Sequence, residues 1–147
     1  MADFRYDQAE GLRRLLGRGH LRVIALAAGC NGVGQTSAAI NIAGALAARG
    51  RQVLVIDENS GPANVGARLG LRARFELQNV IRQECSVDDA LLCAPGGVAV
   101  LQAAAATREL PGLRRPERER LIRSLGLLDE RFDVVLVDTR RGNSGSA

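Results

Sequence analysis

A chain of 147 residues can hold one domain with a real core and is too short for two. Hydrophobic residues make up 46% of it and aromatics 3%, so the core must be aliphatic; the net charge of +4 is modest and spread along the chain, which makes a nucleic-acid partner the less favoured expectation. No apolar run approaches the ~20 residues of a membrane span, and Met1 to Tyr6 lacks the basic start and apolar stretch of a signal peptide. Every basic residue except His20 is arginine, as a GC-rich genome would favour, so no lysine is available for any chemistry. Cys30, Cys85 and Cys93 are odd in number and follow no metal or redox spacing, which fits free thiols in the cytoplasm.

In chain order, residues 6–17 predict a short amphipathic helix with Ala9, Leu12, Leu15 and Leu16 on one side. Arg18-Gly19-His20 links this helix to the first strand. Residues 22–28 are continuously apolar after Arg22, the pattern of a strand buried on both faces in a parallel sheet. A glycine-rich segment at 29–34 then opens a helix from Thr36 to Ala48, with Gly50 just past its end. Gln52 to Ile56 predicts a second buried strand that ends at Asp57, completing a βαβ unit. Short helical segments are expected near 63–69, 76–82 and 86–93, and a strand at Gly97 to Leu101. Pro116 opens a helix to about Leu128. Phe132 to Val137 is a further apolar strand that closes on Asp138, and 141–147 is a small, polar tail expected to be mobile.

The segment Gly29-Cys30-Asn31-Gly32-Val33-Gly34-Gln35-Thr36 matches the phosphate-loop pattern G-x-x-x-x-G-K-[ST] everywhere except at the lysine. It comes after a buried strand and opens a helix, the setting in which glycines turn backbone N–H groups around a phosphate and the helix dipole favours the anion. Gln35 stands where the lysine would pair with phosphates. It can donate a hydrogen bond but carries no charge. A hydrogen bond to a charged partner contributes about 1.5–3 kcal/mol and a neutral one about 0.5–1.5 kcal/mol, so binding is expected to weaken and catalysis to suffer more. Gly29, Asn31, Gly32, Val33, Gly34, Gln35, Thr36 and Ser37 are the candidate phosphate contacts; Thr36, Asp57 and Asp138 are the candidate magnesium ligands.

Residues 22–57 resemble the deviant Walker A region of MinD/ParA-type P-loop ATPases, K-G-G-V-G-K-T and then N-x-A-x-A-L-A-x-x-G. Asn41, Ala43, Ala45, Leu46, Ala47 and Gly50 keep the helix pattern. Asp57-Glu58-Asn59-Ser60-Gly61-Pro62-Ala63-Asn64-Val65 is similar to the family's D-x-D-x-G-x-x-N-V stretch, and Asp138-Thr139 to its D-T-x-A-G. The resemblance implies an α/β fold, a parallel sheet flanked by helices, of which residues 21–147 would form the N-terminal half after the helix and linker at 1–20. It also implies that Cys30 and Gln35 occupy the places of the family's two lysines, and Asn59 that of the acid orienting the attacking water. Three altered parts predict ATP and magnesium binding that is weak or absent, and little hydrolysis.

Within that family, Asp7-Gln8-Ala9-Glu10-Gly11-Leu12-Arg13 is similar to the D-Q-A-x-x-L-R helix of the flagellar regulators of the FlhG/FleN type. That resemblance implies a regulator of flagellar number or placement, in which Asp7, Gln8, Leu12 and Arg13 engage an FlhF-type GTPase. Flagellar switch components or a flagellar transcription regulator are further partners it implies. A terminal helix that packs on its own domain is the plainer reading of 6–17. Two other functions stay open: an ATP-dependent switch that tolerates Gln35 and Asn59, and a DNA-binding protein of the ParA kind. Against the last, the arginines at 114, 115, 118, 120 and 123 alternate with Glu117 and Glu119 and have no aromatics interleaved for stacking. The family domain runs on for as long again, so either a fragment or a shortened protein is possible. An exposed sheet edge, and with it self-association, is expected.

Overall fold

The structure is a computed structural model and describes residues 21–28 and 34–140. Five strands form one sheet in the order β1-β5-β2-β4-β3. They are β1 (Arg22–Leu26), β2 (Val53–Asp57), β3 (Leu92–Cys93), β4 (Ala99–Gln102) and β5 (Val134–Asp138). β1, β5, β2 and β4 run parallel, and β3 is antiparallel to β4. The helices are α1 (Gln35–Ala48), α2 (Val65–Arg68), α3 (Leu77–Ile81), α4 (Val87–Ala90), α5 (Ala104–Glu109) and α6 (Arg115–Gly126).

Side-chain alternation divides the core between the two faces of the sheet. Val53 and Val55 of β2 share a face with Val134 and Leu136 of β5, under Ala43 of α1 and Val65 of α2. Leu54, Ile56, Val135 and Val137 point the other way, against Leu77, Val80 and Ile81 of α3 and Leu121 and Leu125 of α6. β2 and β5 are buried at every residue, as their unbroken apolar runs require. α1 carries small residues toward the sheet, and Ala39 and Ala43 are almost wholly buried, so the helix can lie close to the strands.

Several boundaries differ from the sequence expectation. The apolar run at 22–28 pairs only through Leu26, and α6 stops at Gly126 rather than Leu128. The helix expected over 86–93 ends at Ala90, and Leu92–Cys93 forms the antiparallel strand instead. The cause is a tight turn: Gly96 and Gly97 have φ of 85° and 87°, and the Ala94 N–H donates to the Val98 carbonyl at 2.8 Å. Glycine alone holds two successive residues there without steric cost, so the chain reverses and pairs with β4. That turn also moves the strand expected at 97–101 to 99–102. α5 lies in an alanine-rich stretch that gives no sign of an element in the sequence, because four successive alanines carry no polar–apolar period.

β1 stands at one edge of the sheet. Its burial is the poorest of the parallel strands, with Arg22 exposed and Ile24 at 44% exposure. No helix among the described residues is long and apolar enough to cross a membrane.

Candidate active site

The carboxyl ends of β1, β2 and β5 meet where ligands sit in open α/β sheets. The parallel register pairs Leu26 with Asp138 and Asp57 with Asp138. Thr36 enters from the first turn of α1, whose N-cap Gly34 has φ of 76° and no side-chain cap. The candidate metal ligands therefore converge: the Thr36 hydroxyl donates to Asp138 Oδ2 at 2.8 Å, and Thr36, Asp57 and Asp138 are all at 0% exposure. Such a set of hydroxyl and carboxylate oxygens has the chemistry of a hard divalent cation site.

The Gln35 side chain is turned into the protein. Its side-chain amide Nε2 is 2.7 Å from Asp138 Oδ1, 2.8 Å from the Thr139 carbonyl and 3.0 Å from the Leu26 carbonyl. All three neighbours are acceptors, which fixes the orientation of the amide. Gln35 is 8% exposed, and its Oε1 is buried with no hydrogen-bond partner among the described residues.

Asp57 is held differently. Its Oδ1 accepts from the Asn59 N–H at 2.9 Å and from Asn59 Nδ2 at 3.3 Å. Its Oδ2 accepts from the Val65 N–H at 2.7 Å and from Gln102 Nε2 at 3.2 Å. Burial raises the Asp57 pKa above the ordinary carboxylate value; the Asn59 and Val65 backbone bonds oppose the rise, and the charge of Asp138 adds to it. Asn59 also reaches the Asp138 and Thr139 carbonyls at 3.2 and 3.3 Å, so its amide is turned inward among acceptors that a carboxylate would meet with repulsion. Glu58, at 2% exposure, accepts from the Arg140 N–H at 3.1 Å.

Two residues here carry no signal in the sequence motif. Gln102, buried at the end of β4, was hidden because only the strand order places it beside Asp57. Arg68 donates through Nη1 to the Ser37 hydroxyl at 2.6 Å and through Nε to the Ala63 carbonyl at 3.0 Å, which sets a guanidinium beside the first turn of α1. Of the loop candidates, Gly34, Gln35, Thr36 and Ser37 are described, whereas Gly29, Cys30, Asn31, Gly32 and Val33 lie outside the described residues. Asp7, Gln8, Leu12 and Arg13 lie outside them too, as does the tail at 141–147.

A family model for an AAA domain matches residues 21–141. The chain belongs to the MinD/ParA-type P-loop family. Antiactivator FleN of Pseudomonas aeruginosa is 38% identical over 122 residues, which are 83% of this chain and 44% of FleN. Septum site-determining protein MinD of Synechocystis is 31% identical across 82% of this chain and 46% of its own. Among solved structures, cobyrinic acid a,c-diamide synthase of Mycobacterium smegmatis, with a bound ATP analogue and magnesium, superposes with a TM-score of 0.65 at 27% identity. It covers 80% of this chain and 50% of its own. The cell-division ATPase MinD of Pyrococcus furiosus gives 0.61, also at 27% identity, over 82% and 51%. This chain thus spans about half the length of the relatives it matches, and the α/β fold with a mostly parallel sheet is theirs.

Proposed function

We propose that this chain is an FlhG/FleN-like regulator of flagellar number or placement. It acts by protein contact, with residues 1–20 stimulating an FlhF-type GTPase and the α/β domain serving as scaffold. The observation that supports this reading best is the 38% identity to an antiactivator over 83% of the chain, combined with glutamine and asparagine at two positions where hydrolysis needs a cation and an acid. Gln8 would orient the attacking water of the partner, as switch glutamines do in GTPases. A flagellar transcription regulator is a further partner that the antiactivator relative suggests.

Addition of the full chain should raise the turnover of the FlhF-type GTPase by about tenfold or more, a small part of what complete activating proteins supply. Gln8→Ala should abolish that stimulation with binding retained, and Leu12→Asp should abolish both. Equal stimulation by a chain lacking residues 1–20 would place the activity elsewhere.

A second reading, an ATP-dependent switch, draws on one observation: the Thr36 hydroxyl donates to Asp138, beside which Asp57 lies in the sheet register. It requires Mg–ATP to bind tightly, and calorimetric titration with and without magnesium separates the two.

A further inference from the structure

The three acceptors around Gln35 Nε2 come from the ends of two adjacent strands: the Leu26 carbonyl from β1, and Asp138 Oδ1 and the Thr139 carbonyl from the end of β5. A primary amide has two hydrogens, so all of its donor capacity is used inside the protein and none remains for a phosphate. Thr36 takes the second oxygen of the same carboxylate. Asp138 is fully buried and makes no ion pair among the described residues, so these donors are what compensate it.

We propose that Gln35 is an internal clasp. It replaces the phosphate-facing cation of the loop with a neutral tie between the carboxyl ends of β1 and β5, so this end of the sheet keeps one arrangement without a ligand. Phosphate binding would have to break the tie and leave a buried carboxylate short of a donor, so the folded chain resists nucleotide even at millimolar concentration. The proposal rests on reading the loop as degenerate, and it adds that the site is uncoupled from nucleotide.

The seat also has a preference that the chain does not meet. Three acceptors, one of them charged, suit an ammonium with three hydrogens better than an amide with two. The Oε1, which has no partner among the described residues, is a second cost of using the amide. Lysine at this position should therefore tighten the nucleotide-free protein. If residue 35 faced an open phosphate loop instead, lysine would place an unpaired cation at a helix N-terminus and loosen it.

Thermal melting of the full chain, without nucleotide, tests this. Gln35→Met, which keeps the length and removes the donors, should lower the melting temperature by about 5 °C. Gln35→Lys should raise it above that of the unsubstituted chain. In the unsubstituted chain, the Gln35 side-chain amide protons, assigned through their loss in Gln35→Met, should exchange slowly with water. Millimolar Mg–ADP or Mg–ATP should leave both the amide and the melting temperature unchanged. A neutral Gln35→Met, a destabilising Gln35→Lys, a fast-exchanging amide, or stabilisation by nucleotide would each overturn the clasp. No arm involves a GTPase: failure in the melting or exchange of the variants leaves the regulatory reading standing, whereas stabilisation by nucleotide would overturn the clasp and favour the ATP-dependent switch.

Discussion

Asp57 and Asp138 end neighbouring strands in register, both fully buried, yet the fold compensates them in different ways. Asp57 is served by its own β2–α2 loop: the donors on Asn59 and Val65 lie within eight residues of it, and only Gln102 comes from farther away. The donors to Asp138, Gln35 and Thr36, lie 103 and 102 residues from it in the chain. A local cradle depends on the loop alone, whereas a distant one holds two strands and a helix in place at once. The contrast identifies Asp138 as the residue on which the geometry of this sheet end depends.

The sharpest way to break the comparison is to remove each carboxylate in turn. Asp138→Ala strips a charged acceptor from Gln35 Nε2 and from the Thr36 hydroxyl, both of them buried. A cost of about 3 kcal/mol is expected in denaturant unfolding. Asp57→Asn should cost about half as much. It keeps an acceptor for one side of the cradle and relieves the carboxylate–carboxylate repulsion, although its new N–H₂ faces a donor on the other side. Equal losses would mean that reach along the chain makes no difference.

Asp57 also carries a pH signature of definite sign. Its pKa is raised in the folded protein, mainly by burial, so the folded state binds this proton more readily than the unfolded chain does. Its contribution to stability therefore improves as pH falls from neutral through the folded pKa, and levels off below the unfolded value of about 4. Asp57→Asn lacks this contribution. The stability of the unsubstituted chain relative to Asp57→Asn should thus rise as pH falls from neutral toward the unfolded carboxylate value of about 4. A difference that stays constant, or shrinks, would show that Asp57 is not held in a desolvated site.

Much of this site was legible because the residues sit at strand ends. Unbroken apolar runs closing on Asp57 and Asp138, and a glycine-rich turn leading into Thr36, place three oxygen donors on one edge of any parallel sheet that pairs those strands. What the sequence could not convey was pairing order. Only the sheet order, with β5 between β1 and β2, brings Asp138 against both Gln35 and Asp57, and only β4 beside β2 brings Gln102 to Asp57. The direction of the Gln35 amide was likewise hidden, because a motif records which residue stands at a position and not which acceptors surround it. The misplaced elements, the helix expected over 86–93 and α5 in its run of alanines, are short ones whose fate rests on a turn or on tertiary packing.

The smallest expected effect on stability comes from the edge strand, which sharpens the contrast from the other side. β1 is tied to the sheet by its pairing with β5 and by contacts at its carboxyl end, where the Leu26 carbonyl accepts from Gln35 Nε2, from the Thr139 N–H and from the Thr139 hydroxyl. Ile24, in the middle of the strand, is 44% exposed and adds little to the core. Ile24→Lys should therefore change unfolding free energy by less than about 1 kcal/mol. An exposed, apolar edge strand invites pairing with another chain, and a charge on the edge is the usual remedy. If the edge drives self-association, sedimentation of the unsubstituted chain will depend on concentration and that of Ile24→Lys will not. A large loss of stability with no change in association would place Ile24 in the core and remove this edge as a contact surface.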